Sequence, residues 1–227
     1  MRNKIWITFP LTLMVGFSLL ALNISIKKTL NRSNSGLVSA TAEGDVLKDG
    51  DVIFQIQTEG QGKAIQLATK SEYTHTGVLM QHDGQWYVYE AVQPVCKTPL
   101  KAFIATGDSG IYVIKRLKKS DSLLNMDKVA TMKTYLIAQI GKNYDPYFNW
   151  SDSALYCSEL VWKCYRKAGI SLCTTRQLKS YDLTSTAVKA VMKERYGNKI
   201  PMKEKVVSPG DIFNSDLLET VNYTAIE

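Results

Sequence analysis

The chain has 227 residues, 45% of them hydrophobic and 10% aromatic, which suits one globular domain with attachments and a real core. Its formal net charge is +7, of which residues 1–50 carry +3, and the rest is diffuse. Without a basic stripe interleaved with aromatics nucleic-acid binding is not expected, and two histidines with no CxxC pair argue against a structural zinc site.

Met1-Arg2-Asn3-Lys4 is a short basic head, and Ile5 to Leu22 is apolar apart from Thr, Ser, Gly and Pro. That length lies between a signal-peptide core and a spanning helix of about 20 residues. Ala40-Thr41-Ala42 is a distant small-x-small site, whereas Lys27, Lys28 and Arg32 flank the run closely. Residues 1–22 therefore suit either a cleaved signal peptide or an N-terminal membrane anchor. Both place the protein at the cell envelope. Residues 23–47 mix Ser, Asn, Lys and Gly without periodicity and read as a tether, followed by a domain over 48–227.

Within that domain, Gly50–Ile56 is β-rich and 62–70 suits a short helix with Ile65 and Ala68 inward. Strands are expected over Thr74–Met80, Trp86–Glu90 and Ile111–Leu117, with Asp83-Gly84 forming a tight turn between the first two. Residues 122–140 place Leu123, Met126, Val129, Met132, Leu136 and Ile140 at helical spacing, with Gly141 as a stop. Further helices are expected over Ala154–Lys167, ended by Gly169, and over Ser185–Arg195. The tail Gly210-Asp211-Ile212-Phe213 echoes Gly50–Phe54, but one short echo is not a duplication. The pattern is α+β, with an antiparallel sheet packed against helices.

The chemistry rests on His75 and Cys157. If Asp83-Gly84 are the central residues of the turn, His82 pairs with Gln85 and Gly77 faces Glu90. His75 shares the pleat face of Gly77, so Glu90 is its diagonal neighbour, about 7–8 Å away between backbones. A carboxylate on one imidazole nitrogen presents the other nitrogen to a nucleophile. Cys157 lies near a helix N-terminus, where unpaired N–H groups and the macrodipole favour a thiolate and can hold an oxyanion. Acyl transfer through a thioester follows. The bland readings stand beside this one. A cysteine on an apolar helix is commonly a small core residue, as expected for Cys164. Cys173 sits in a polar loop with no base near it. His82 sits in the turn, exposed, and Glu90 could simply end its strand at solvent. Four cysteines allow two disulfides, but Cys157 and Cys164 lie about 10 Å apart along one helix and cannot bridge each other.

Several blocks carry a resemblance: Gly50–Gln55, Ala68-Thr69, Tyr73-Thr74-His75-Thr76-Gly77-Val78, Tyr89-Glu90-Ala91, Tyr144-Asp145-Pro146, Tyr156-Cys157-Ser158-Glu159-Leu160-Val161 and Ser208–Ile212. In this order they resemble the YiiX-like bacterial proteins, in the circularly permuted branch of the NlpC superfamily with a papain-like fold. The resemblance covers about residues 48–220. It implies a Cys157 nucleophile, a His75 base and Glu90 as its orienting residue. Gly141-Lys142-Asn143-Tyr144 also resembles the Gly-x-x-Tyr of cell-wall NlpC peptidases. Tyr144 is thereby a candidate for lining the site or supporting the oxyanion, with Tyr73 and Tyr156 as further candidates. Those peptidases carry Asp-Cys-Ser-Gly where this chain has Tyr156 and Glu159, so murein specificity does not transfer.

The expectation is a cysteine hydrolase, an amidase or peptidase acting on cell-envelope peptides or amino-acid conjugates. The alternatives are a thiol-dependent acyltransferase or lipid hydrolase, and a non-catalytic envelope binding module. Its partners would be a small peptide, amino-acid conjugate or lipid-like substrate, with no nucleic acid, and the membrane through the N-terminal segment. No metal or organic cofactor is implied, and no feature fixes an oligomeric state.

Overall fold

A computed structural model describes residues 45–223. The expectations for residues 1–22, and for the tether up to residue 44, lie outside the described residues. Among those described, no helix is long and apolar enough to cross a membrane.

In chain order the elements begin with β1 (Val52–Gln55), α1 (Gly62–Thr69), β2 (His75–His82), β3 (Gln85–Glu90), β4 (Cys96–Pro99), α2 (Leu100–Ala105) and β5 (Tyr112–Leu117). Then follow α3 (Ser120–Leu123), α4 (Met126–Gln139), β6 (Asn143–Tyr144), β7 (Ala154–Leu155) and α5 (Cys157–Lys167). The chain closes with β8 (Arg176–Gln177), α6 (Thr186–Tyr196), β9 (Lys205–Val206), α7 (Pro209–Phe213) and β10 (Leu218–Val221).

Six strands form one antiparallel sheet in the order β10-β5-β1-β2-β3-β4. Alternation divides its side chains between two cores. Val52, Phe54, Val78, Met80 and Tyr89 pack with Leu160, Val161 and Cys164 of α5 and with Met132 and Leu136 of α4. Ile53, Leu79, Val88 and Ile114 point the other way, onto Leu100 and Phe103 of α2. A third cluster joins Ala64 of α1 to Val188 and Met192 of α6. The fold is α+β, with α5 lying against the sheet as the resemblance implied.

The turn register is as read: Gly77 pairs with Glu90 and His82 with Gln85, with Asp83 and Gly84 both at positive φ. Three expectations need correction. The single helix over 122–140 is two, because Asn125 accepts a hydrogen bond from the Lys128 N–H at 3.0 Å and starts α4 afresh. Leu123, Met126 and Ile140 are consequently exposed, and the buried seam is Met132 and Leu136. The helix expected from Ala154 begins at Cys157, since Ala154–Leu155 pairs with β6. In α1 the fully buried positions are Gly62 and Ala64; Ile65 and Ala68 are half-buried and face a cavity described below.

Candidate active site

Cys157 is the first residue of α5, with Tyr156 as N-cap in extended conformation. Two hydrogen bonds tie this helix start to the chain before α7. The Ser158 hydroxyl donates to the Val207 carbonyl at 2.8 Å, and the Val207 N–H donates to the Tyr156 hydroxyl at 3.1 Å. The first N–H groups of a helix lack intrahelical acceptors, so the sulfur and any carbonyl it attacks meet aligned donors.

His75 opens β2 and is buried, its ring stacked on Phe103 at 5.6 Å between centroids. Its Nε2 lies 2.5 Å from Glu90 Oε2, and the other carboxylate oxygen accepts from the Thr98 hydroxyl at 2.5 Å. Sequence reasoning missed Thr98; nothing in Cys96–Pro99 signalled a strand, and only the pairing of Glu90 with Cys96 brings it near. Burial pulls the His75 pKa down, but hydrogen bonds to Cys157 and Glu90, and their negative charge, overcome this and raise it to about 10. With Nε2 engaged by Glu90, Nδ1 is the nitrogen left for Cys157.

The remaining candidates separate clearly. The Tyr144 hydroxyl accepts from Gln61 Nε2 at 2.5 Å, which leaves its own proton to donate, and burial keeps it a neutral phenol by raising its pKa. Tyr156 is a buried wall of the site, edge-on to Phe148 at 5.1 Å. Tyr73 is not brought to the site: its ring stacks on Phe213 at 4.2 Å, so that expectation is corrected to a packing role. His82 pairs with Asp83 at 3.1 Å on the exposed turn, at the far end of β2 and ~23 Å from His75 along the strand. The four cysteines are free. Cys164 is buried in the core and its pKa is pushed well up by burial, and burial raises Cys173 to about 12.

Two compartments meet at Cys157. The more polar cleft is lined by His75, Gln57, Glu59, Thr74 and Gln93, together with Ala91 and Val92. An apolar cavity runs between α1 and α6. Gln61, Ile65, Tyr144 and Cys157 line both. Gln61 in turn accepts from Arg195, whose guanidinium lies 4.9 Å from the Phe148 ring centroid. Neither Gln61 nor Arg195 had a local sequence signal, because α1, α6 and β6 meet only in the fold.

An antiparallel sheet against a helix that opens on a cysteine, with a histidine and a carboxylate earlier in the chain, defines a permuted papain-like architecture. Residues 46–222 match the family described as permuted papain-like amidase enzyme, YaeF/YiiX, C92 family, and the chain belongs to it. It is a cysteine hydrolase of the amidase or peptidase kind. It is 48% identical over 187 residues to the uncharacterized protein YiiX of Escherichia coli (strain K12), covering 82% of this chain and 91% of that protein. It is also similar to the crystal structure of metalloprotein yiiX from Escherichia coli O157:H7, with a TM-score of 0.73 and 45% identity over 77% of this chain and 96% of that one. Among the described residues no group of three or more His, Cys, Asp or Glu side chains is placed to hold a metal ion.

Proposed function

We propose that Cys157, His75 and Glu90 act as nucleophile, acid–base and orienting carboxylate in amide hydrolysis at the cell envelope, on peptides or amino-acid conjugates. The observation that carries this reading is one buried imidazole, 2.5 Å from Glu90, that lines the same cleft as Cys157. Attack requires the ion pair, in which the Cys157 proton has passed to His75 Nδ1 and the imidazolium is held by Glu90. The sulfur attacks the amide carbonyl, whose π electrons move to oxygen. The N–H groups at the start of α5 and the Tyr144 hydroxyl are the donors available to that oxyanion. Collapse breaks the C–N bond, and the amine leaves with the proton from His75 Nδ1. Neutral His75 then takes a proton from water as it attacks the thioester. The sulfur departs as thiolate, the acid is released, and the imidazolium is restored. The metal implied by the description of the E. coli O157:H7 relative has no matching donor set among the described residues, and no step passes through one. An envelope location rests on the basic head and apolar run of residues 1–22.

The test is the pH-dependence of alkylation at each thiol, read by mass spectrometry in wild type and His75→Ala. Cys157 should label fast below pH 7 and slow by at least tenfold in the variant, while Cys164 and Cys173 stay slow in both. Equal, slow labelling of Cys157 in both proteins would leave a binding module with an inert thiol.

A further inference from the structure

Arg195, near the end of α6, spends its charge on a neutral amide. Its guanidinium donates to Gln61 Oε1, and among the described residues no carboxylate forms an ion pair with it. A guanidinium only donates, so the Gln61 atom beside it must be the amide oxygen. The other end of that amide is thereby fixed as an N–H donor, and it lies 2.5 Å from the Tyr144 hydroxyl. A phenol oxygen that accepts an N–H keeps its own proton to give. Among the described residues no protein atom accepts that proton.

The fold brings this hydroxyl to the sulfur and holds it there. Tyr144 pairs with Leu155 in the β6–β7 ladder, two residues before Cys157, and its backbone N–H donates to Gln93 Oε1 at 2.7 Å. Burial raises the Tyr144 pKa, negative charge on Cys157 raises it further, and the bond from Gln61 and the charge of Arg195 oppose both. The hydroxyl therefore feels the sulfur on one side and the guanidinium on the other. Gln61 is the N-cap residue of α1, yet its side chain makes no capping bond and is spent wholly on Tyr144 and Arg195. The separation of the two helices is set by Ala64 packing against Val188 and Met192.

Resting on the catalytic reading above, we propose that Arg195 and Gln61 are positioning residues, which hold the Tyr144 hydroxyl with its proton directed at the oxyanion of the tetrahedral intermediate. Each bond in the line runs the same way: guanidinium to amide oxygen, amide N–H to phenol oxygen, phenol proton to oxyanion. Bonds aligned in this sense polarise one another. As negative charge passes from the sulfur to the substrate oxygen, the donor at the end of the line is already turned to meet it. With the amide reversed, Gln61 would accept the tyrosine proton and the intermediate would lose that donor. No proton is transferred along the line.

Two reactions of Cys157 in the full chain test this, both read by mass spectrometry. Acetylation by p-nitrophenyl acetate passes through an oxyanion, whereas alkylation by iodoacetamide does not, so the ratio of the two rates reports the oxyanion donors. Tyr144→Phe should lower that ratio on the order of 10²-fold. Gln61→Met and Arg195→Met should each lower it about tenfold, because the hydroxyl remains but is no longer held. Arg195→Lys, which still donates, should restore most of the loss. In the Tyr144→Phe background neither methionine substitution should lower the ratio further. A ratio unmoved by Gln61→Met and Arg195→Met, including one in which both rates fall together, overturns the assignment and leaves the catalytic reading standing. So does a full further loss in the Tyr144→Phe background. If wild-type Cys157 alkylates slowly, the catalytic reading fails and this one falls with it.

Discussion

Burial alone would hold the His75 imidazole neutral at pH 7, because a low-dielectric surrounding penalises the charged ring. Glu90 and Cys157 reverse this, and the folded ring gains its proton up to about pH 10 against an ordinary value of 6.5. The sign for stability follows: the contribution is fully present below pH 6.5 and is lost as pH rises through about 10. In the proposed mechanism the sign for activity is the same, since there the departing amine takes its proton from the imidazolium. Glu90→Gln removes one raising influence and leaves the burial. The upper limb of the kcat/KM–pH profile should therefore move to lower pH, and the plateau should fall on the order of 10²-fold; an unmoved limb would show that Glu90 does not set the proton on His75. Glu159, two residues past the cysteine, behaves oppositely. Burial raises its pKa to about 7, and Lys163 Nζ, 2.9 Å away, offsets this only in part. Between pH 4.5 and 7 the unfolded chain holds fewer protons there than the folded one, so stability falls as pH rises across that window. Glu159→Gln should be more stable than wild type at pH 8, on the order of 1–2 kcal/mol by urea denaturation, with no gain at pH 4. Lys163 retains Asp152 at 2.8 Å, so the substitution does not strand it.

At the level of elements, the β2–β3 register puts His75 and Glu90 on one face, and Gly77 between them permits it. A Cβ on Gly77 would come within 2.3 Å of Val88 Cγ1 and 2.8 Å of the Tyr89 carbonyl oxygen. Gly77→Ala must push the two strands apart. It should destabilise by about 1–3 kcal/mol and lengthen the His75–Glu90 contact, which a lowered His75 pKa in NMR titration would report. The two similar segments Gly50–Phe54 and Gly210–Phe213 show how context overrides composition. The first continues into β1, with Asp51 held by Arg116 at 2.7 Å. The second is helical, because Pro209 suits a first helical position and Ser208 and Asp211 cap each other reciprocally. Ser208 and Pro209 ahead of the echo, acting with Asp211 inside it, set its conformation.

Across the whole molecule, the sheet carries the histidine and carboxylate, α5 carries the sulfur, and α1 and α6 build the cavity beside them. Local chemistry in the sequence determined the first two parts. Asp83-Gly84 fixed a turn, the turn fixed a register of period two, and the register placed Glu90 diagonal to His75 and left His82 exposed. Amphipathic spacing with Gly169 at positive φ bounded the helix that opens near Cys157. Tertiary structure decided the rest, because those contacts join segments far apart in the chain. Gln61 meets Tyr144 across 83 residues and Arg195 across 134, and Ser158 meets Val207 across 49. The sequence offers both Tyr73 and Tyr144 for the site, yet Tyr73 packs on Phe213 while Tyr144 lines both compartments beside Cys157. Periodicity reports which face of an element is apolar. It does not report whether that face is covered by another element or lines a space for a ligand, and so Ile65 and Ala68, read as core, prove to be cavity wall.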